Sequence, residues 1–355
     1  MARLRSLDGL RGVAILLVIV AHAASAALDP DDTGLVGAVG RPVGQLGVTV
    51  FFVLSGFLIT GILVREHDRT GTVSLRAFYL RRTLRIWPAF YVFLAVVGVL
   101  ALVGAVAVSG TSLLAAATFT YNYVSSADSW WVGHTWSLAV EEQYYLLWPL
   151  ALLFLSRRRA AWLAAAVVLA SPLLRTATWL LVPHSAEGQV PFYFHTRADA
   201  LALGSLVALA PSTFPSAWTR VVAVLRRPVV TVAALAALLA HVVASVVLAV
   251  PYEMAAGYSL TAVCAATVLV AAGPGGSPAV QRALAIRPLV LAGLVSFSWY
   301  LWQQLFLTDL NTTWTGTPGL DVACSLLVAV LSYRLVEQPF LRLQQSSRRR
   351  ERVAV

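Results

Sequence analysis

The sequence predicts an all-α polytopic integral membrane protein of about ten transmembrane helices, with N- and C-termini cytoplasmic. Three observations carry that expectation. Of 355 residues, 59% are apolar and only 12% charged, against roughly 45–50% apolar and about 25% charged in an average soluble domain. Apolar runs of membrane length recur from one end to the other. The basic residues, 26 in number and all arginine, gather in alternate connections between those runs.

The runs lie at 8–27, 44–64, 88–109, 138–156, 160–181, 198–210, 228–249, 254–272, 289–309 and 320–340. Most reach the roughly 20 residues that cross about 30 Å of hydrocarbon at about 1.5 Å per residue. Segment 198–210 is short. It either extends upstream through Phe192 to His195, crosses a thin region, or forms a partial helix lining a cavity. Segment 75–87 interleaves Leu75, Phe78 and Tyr79 with Arg76, Arg81, Arg82 and Arg85, which reads as an interfacial helix leading into Pro88. Residues 1–340 are expected to form one transmembrane domain, and 341–355 a basic, disordered cytoplasmic tail. The first run follows Arg3 and Arg5 as a signal peptide would, but it contains Arg11 and His22 and has only a weak cleavage cue. It is expected to be retained.

With a cytoplasmic N-terminus, the inside connections hold Arg65 to Arg85, Arg157 to Arg159, Arg220 to Arg227, Arg282, Arg287 and the tail, whereas the outside ones hold Arg41 and Arg197. That bias follows the positive-inside rule and favours an even number of spans. The net charge of +10 is spread over short clusters and forms no basic domain, so nucleic acid is not an expected partner. The arginines read as topology signals and as contacts to anionic lipids or a cofactor. Cys264 and Cys324 sit in apolar runs and support neither a disulfide framework nor a metal site. No HExxH, glycine-rich phosphate loop, dinucleotide fingerprint or GxSxG elbow is present, so no metal or tightly bound cofactor is expected.

Some polar residues exceed what membrane placement requires. Arg11 and His22 are eleven positions apart, about 16 Å along one face of a helix. Snorkelling can account for Arg11 and a neighbouring helix for His22, but the pair favours a lined cavity. His134, Ser137 or Leu138, Glu141 and Tyr145 can share a face of the fourth span, and adjacent Glu141 and Glu142 point about 100° apart. A buried carboxylate needs a partner; Arg11, Arg175 and Arg334 are the candidates for a structural ion pair. His195, Arg197 and Asp199 form a polar group at the mouth of the short segment, suited to an acceptor or to helix capping. Gly9, Gly12, Gly56 and Gly61 permit close helix packing, and Asn311 to Thr313 matches a glycosylation pattern.

The opening RSLDGLRGVAILLVIVAHA, from Arg5 to Ala23, resembles the N-terminal signature of the acyltransferase 3 family of integral membrane O-acyltransferases. The resemblance continues at 47–60, 78–90, 134–149, 197–208, 296–307 and 332–340. It implies about ten membrane helices and transfer of an acyl group, often acetyl from acetyl-CoA, to a hydroxyl. The acceptor is then a sugar-bearing molecule such as a cell-surface glycan, a glycolipid or a macrolide, and the expected place is a bacterial cytoplasmic membrane. His22 matches the family's membrane histidine, Arg11 its paired arginine, Glu141 and Glu142 the EEQ element, and Arg82 and Arg85 its basic element. Many relatives have histidine after the YLW string, where this chain has Gln303 and Gln304; glutamine cannot act as a base. Some relatives carry an additional extracytoplasmic domain, which is not expected after Phe340.

Chemically, His22 can accept the proton of an acceptor hydroxyl. Arg11 can stabilise charge on a carbonyl oxygen or hold CoA phosphates with Arg81, Arg82 and Arg85, while Glu141 and Glu142 can orient the histidine. The candidates for substrate contact are His134, Ser137, Tyr145, Arg197 and Asp199. Direct transfer and a transient acyl-histidine both fit. A transporter or flippase would also have a polar membrane cavity; it differs in moving unchanged substrate without acyl-CoA.

Overall fold

Inside a bilayer no water satisfies the backbone, so an apolar run must satisfy its own N–H and C=O groups, and the runs of this chain fold as helices. The computed structural model describes residues 4–26, 35–124, 130–308 and 317–344. No strand occurs among them. The principal helices are α1 (Arg5–Ala26), α2 (Leu35–Thr70), α3 (Leu75–Leu102), α4 (Thr135–Phe154), α5 (Arg157–Leu181), α6 (Phe194–Thr213), α7 (Pro228–Val247), α8 (Tyr258–Ala272), α9 (Arg287–Trp302) and α10 (Pro318–Ser332).

By length and composition, seven helices among the described residues can cross a membrane, or eight if the pair Pro278–Leu284 and Arg287–Leu305, bent by 66°, counts as one span. The helices α4 and α6 fall outside that set, although each is 20 residues long. Their interior charges, Glu141 and Glu142 in one and Arg197 and Asp199 in the other, lower the apolar character that the criterion requires.

Boundaries depart from the sequence expectation where tertiary contacts take over. The segment 75–87 is not a separate interfacial helix: α3 runs unbroken from Leu75 through Pro88 to Leu102. It starts at Ser74, whose hydroxyl accepts the Ala77 N–H at 3.3 Å, a normal N-cap. The short segment at 198–210 extends upstream to Phe194. The helix following 320–332 widens into a π-turn at Tyr333–Glu337 and continues as helix to Gln344, so the first four residues of the expected tail are ordered as helix. The remainder of that tail, the glycosylation pattern and Arg3 lie outside the described residues.

The core of the bundle is set by backbones that approach closely. A Cβ on Gly12 would lie 2.0 Å from the carbonyl oxygen of Leu289, and one on Gly293 1.8 Å from that of Asp8, so α1 and α9 meet without side chains between them. A Cβ on Gly56 would lie 1.9 Å from the Leu201 oxygen, and one on Gly204 2.0 Å from that of Val53, which joins α2 to α6 in the same way. Small residues allow this contact in lipid, where packing replaces the hydrophobic drive between helices. Gly61 differs: its nearest neighbour is the guanidinium of Arg65 on its own helix. Gly204→Val is therefore expected to abolish accumulation of monodisperse protein. Gly98→Ala, where a Cβ meets nothing within 4 Å, should leave the melting temperature unchanged or raised; equal behaviour of the two in a thermal-shift assay would contradict this packing.

Candidate active site

Two neighbouring cavities between the described helices carry polar linings. The first, of about 410 Å³, is lined by Asp8, Arg11, Arg81, Arg82, Arg85, Glu141 and Glu337, with Ser55, Ser137, Tyr145 and Tyr300. The second, of about 490 Å³, is lined by His22, Arg41, Gln45, Trp130, His134, Trp136, Tyr300 and Gln304. Both volumes fall in the range of small-molecule sites, about 300–1,000 Å³. Val48 and Tyr300 line both. The single cavity expected from Arg11 and His22 is thus two: α1 runs past both, and its eleven-residue spacing places the arginine in one and the imidazole in the other.

The basic cavity is lined by α1, α2, α3, α4, α9 and the segment 333–344. Helix α3 supplies Arg81 and Arg85, one turn apart, and Arg82, about 100° round from Arg81. Arg81 is held by Glu66 of α2 at 2.7 Å. Arg82 stacks over the Tyr145 ring, with its guanidinium carbon 5.1 Å from the centroid. Arg85 and Arg11 share the field of Glu337, and the Arg11 Nε is buried without a hydrogen-bond partner. The π-turn at Tyr333–Glu337 turns Tyr333 and Glu337 into the cavity, and Glu337 accepts a hydrogen bond from Ser298 at 3.0 Å. Such widened turns recur at functional sites.

On α4, Ser137, Leu138, Glu141 and Tyr145 line the basic cavity together, whereas His134, expected on the same face, lines the other cavity. Glu141 accepts from the Ser55 hydroxyl at 2.9 Å and the Tyr145 hydroxyl at 2.7 Å. Glu142, about 100° round the helix, lines neither cavity; its Oε1 is buried without a partner, in the field of Arg82. Neither glutamate pairs with Arg175, and Arg334 is exposed.

In the histidine cavity, the His22 ring stands edge-on to Trp130 with centroids 5.4 Å apart, and its Nδ1 is 2.8 Å from Oε1 of Gln303. His134 sits one residue before α4, with its ring against Phe93 and Tyr300, each at 5.3 Å. Tyr300 donates to the His134 carbonyl at 3.0 Å and lies 2.6 Å from the Ser137 hydroxyl. That cluster forms the wall between the cavities.

Arg197 and Asp199 line neither cavity. Arg197 is 1% exposed, 4.2 Å over the Tyr258 ring, and donates to Thr49 at 3.1 Å and Gln45 at 3.4 Å. Asp199 pairs with the fully buried Arg175 at 3.3 Å. Arg175 also donates to the carbonyls of Thr196 at 2.6 Å and Met254 at 2.8 Å. The Met254 carbonyl lies in a π-turn, Glu253–Gly257. This polar group belongs to the packing of α5 and α6, and it meets the cavity walls from behind, through Gln45 and through the Phe52 and Trp136 rings under the Arg197 guanidinium.

Sequence reasoning passed over Glu337, Tyr300 and Ser55 as cavity groups. Glu337 was visible as a carboxylate inside an apolar run. The others carry no local signal, because their role arises from the helices that face them.

The model of the acyltransferase 3 family, an acyltransferase domain, matches residues 4–333. The chain belongs to this family. It is 28% identical over 362 residues to a peptidoglycan O-acetyltransferase of Listeria monocytogenes, covering 94% of this chain and 55% of that protein. It is 30% identical over 359 residues to a putative peptidoglycan O-acetyltransferase of Bacillus subtilis, covering 94% and 54%. A putative O-acetyltransferase of Staphylococcus aureus is 28% identical, with 94% and 56% covered. The chain spans about half the length of the curated relatives it matches. No solved structure matches at the same stringency.

Proposed function

We propose that the protein is a multi-pass membrane O-acyltransferase of the bacterial cytoplasmic membrane. It moves an acyl group, acetyl in the simplest case, from acyl-CoA to a hydroxyl of a sugar-bearing acceptor. The observation that carries this reading is the pair of cavities meeting at Val48 and Tyr300, one holding four arginines and the other His22. With the arginine-rich end cytoplasmic, the basic cavity faces the compartment that holds CoA, and its guanidinium groups suit phosphates. The histidine cavity then opens toward the opposite side, where the acceptor enters. The names of the relatives favour a cell-wall glycan as acceptor over a glycolipid or a macrolide.

In the transfer, the acceptor oxygen attacks the thioester carbonyl, a C–O bond forms, and its proton passes to Nε2 of His22. The C–S bond breaks, and CoA leaves as the thiolate, which recovers the proton. Arg11 is the cation on the same helix face that steadies charge on the donor side. The route through acyl-histidine would differ in placing the acyl group on Nε2 first; label retained on the protein after incubation with labelled donor alone would establish that route.

The test is transfer of label from acetyl-CoA to extracted envelope glycans by membranes carrying the protein. Arg85→Gln is expected to raise KM for acetyl-CoA about tenfold or more, the loss of one charge-assisted contact of about 1.5–3 kcal/mol, with a smaller change in kcat. An unchanged KM with a reduced kcat would remove the donor from the basic cavity. Movement of unmodified glycan without acyl-CoA would favour transport instead.

A further inference from the structure

The last turn of the ninth helix does more than end it. A 3₁₀ turn, Gln303–Leu305, follows α9 and sets two adjacent amides against histidines from two other parts of the chain. Gln303 is fully buried, and Gln304 is 4% exposed. The Oε1 of Gln303 is 2.8 Å from Nδ1 of His22. The Oε1 of Gln304 accepts the backbone N–H of His134 at 3.1 Å and lies 2.5 Å from its Nδ1. The Trp130 indole donates to the Gln304 carbonyl at 3.0 Å, and the same indole ring packs edge-on to His22.

An amide oxygen has lone pairs and no hydrogen to give. Facing Nδ1, it requires the imidazole hydrogen there and leaves Nε2 as the ring's acceptor. We infer that Gln303 is a positioning residue that fixes His22 as the Nδ1–H tautomer, so that Nε2 is the atom open to the proton of an acceptor hydroxyl. The inference rests on the reading of His22 as the base. Gln304 serves the same end indirectly: its bonds to His134 and Trp130 pin the turn that carries Gln303.

The proton balance follows. Nε2 takes the hydroxyl proton and the ring becomes an imidazolium, whose Nδ1–H remains on the Gln303 oxygen. The imidazolium then returns the Nε2 proton to the departing thiolate. The reverse amide orientation would put the hydrogen on Nε2, and the same ring could not accept.

The experiment is ¹⁵N NMR of the full chain in lipid nanodiscs, with histidine as the only labelled residue type and His22 assigned by its loss in His22→Ala. Steady-state kinetics accompany it. Wild type is expected to show hydrogen on Nδ1 of His22. Gln303→Glu, which as a carboxylate only accepts, should keep that tautomer and a kcat within about tenfold of wild type. Gln303→Leu should lose the tautomer preference and about 10–100-fold in kcat, the usual scale for a residue that orients another, with KM for both substrates within about twofold. Hydrogen on Nε2 in wild type overturns the inference. So does a Gln303→Leu variant with unchanged kcat in a preparation where His22→Ala is inactive. Should Gln303→Leu fail to accumulate, the wild-type tautomer and Gln303→Glu decide. Full activity of His22→Ala would instead remove His22 as the base, while the spectrum still reports whether Gln303 holds the ring.

Discussion

His22→Ala is expected to lower acyl transfer by about 10²–10⁴-fold, the range attributed to a positioned general base, while the protein keeps its melting temperature and monodisperse elution. The reason is the isolation of the imidazole. It lies in a cavity with Arg41, Gln45, Trp130 and Trp136, and the one other imidazole lining that cavity, His134, has its Nε2 buried without a partner and its ring packed against Phe93 and Tyr300. No carboxylate lines the same cavity among the described residues, so His134, with its ring packed into that wall, is the one lining side chain there besides His22 with an imidazole to accept a proton. His22→Gln should be equally inactive, since glutamine keeps a polar group of similar reach without basicity. Turnover within tenfold of wild type in either variant would dismiss His22 as the base and return the choice to the carboxylates of the basic cavity.

The second large effect concerns stability. Arg175→Met is expected to cost about 3–5 kcal/mol, because it leaves the Asp199 carboxylate buried without its cation. Arg175 is 0% and Asp199 3% exposed, so water cannot take the missing place. Ser259 still donates to Asp199 at 2.6 Å, which satisfies one lone pair but supplies no charge. Arg175→Met combined with Asp199→Asn should recover part of the loss, since the amide has no charge to strand. A thermal-unfolding series in nanodiscs reads this directly. If the single variant melts within a degree of wild type, the ion pair is not what joins α5 to α6. A single variant with normal stability and lost transfer would assign Arg175 to the chemistry.

Much of the site was legible because chemistry in a membrane is conspicuous. Arg11, His22, Glu141, Arg81, Arg82 and Arg85 stand out against apolar runs, and each lines a cavity. The divergence of Glu141 from Glu142 followed from helix geometry alone. The pairing of Arg175 with Asp199, by contrast, joins residues of different helices 24 positions apart in sequence, and nothing local distinguishes it from a pairing with Glu141. Arg197 and Asp199 looked like site residues for the same reason that His22 did: both are polar residues in lipid, and burial in protein satisfies that condition as well as a substrate does.

What the sequence by itself determined is the helical, multi-pass character of the chain and the residues able to carry charge or protons inside it. Apolar runs must form helices where no water is present, and the cost of a polar group in lipid marks it for a partner. What only the tertiary structure decided is which partner each one found. The close approach of α1 to α9 and of α2 to α6 depends on glycines that face the partner backbone. The wall between the cavities depends on Tyr300, Ser137 and His134 converging from different segments. The hold on His22 depends on a turn 281 residues away in sequence. Periodicity reports which face of a helix is polar; the identity of the facing helix is fixed by packing across the whole bundle.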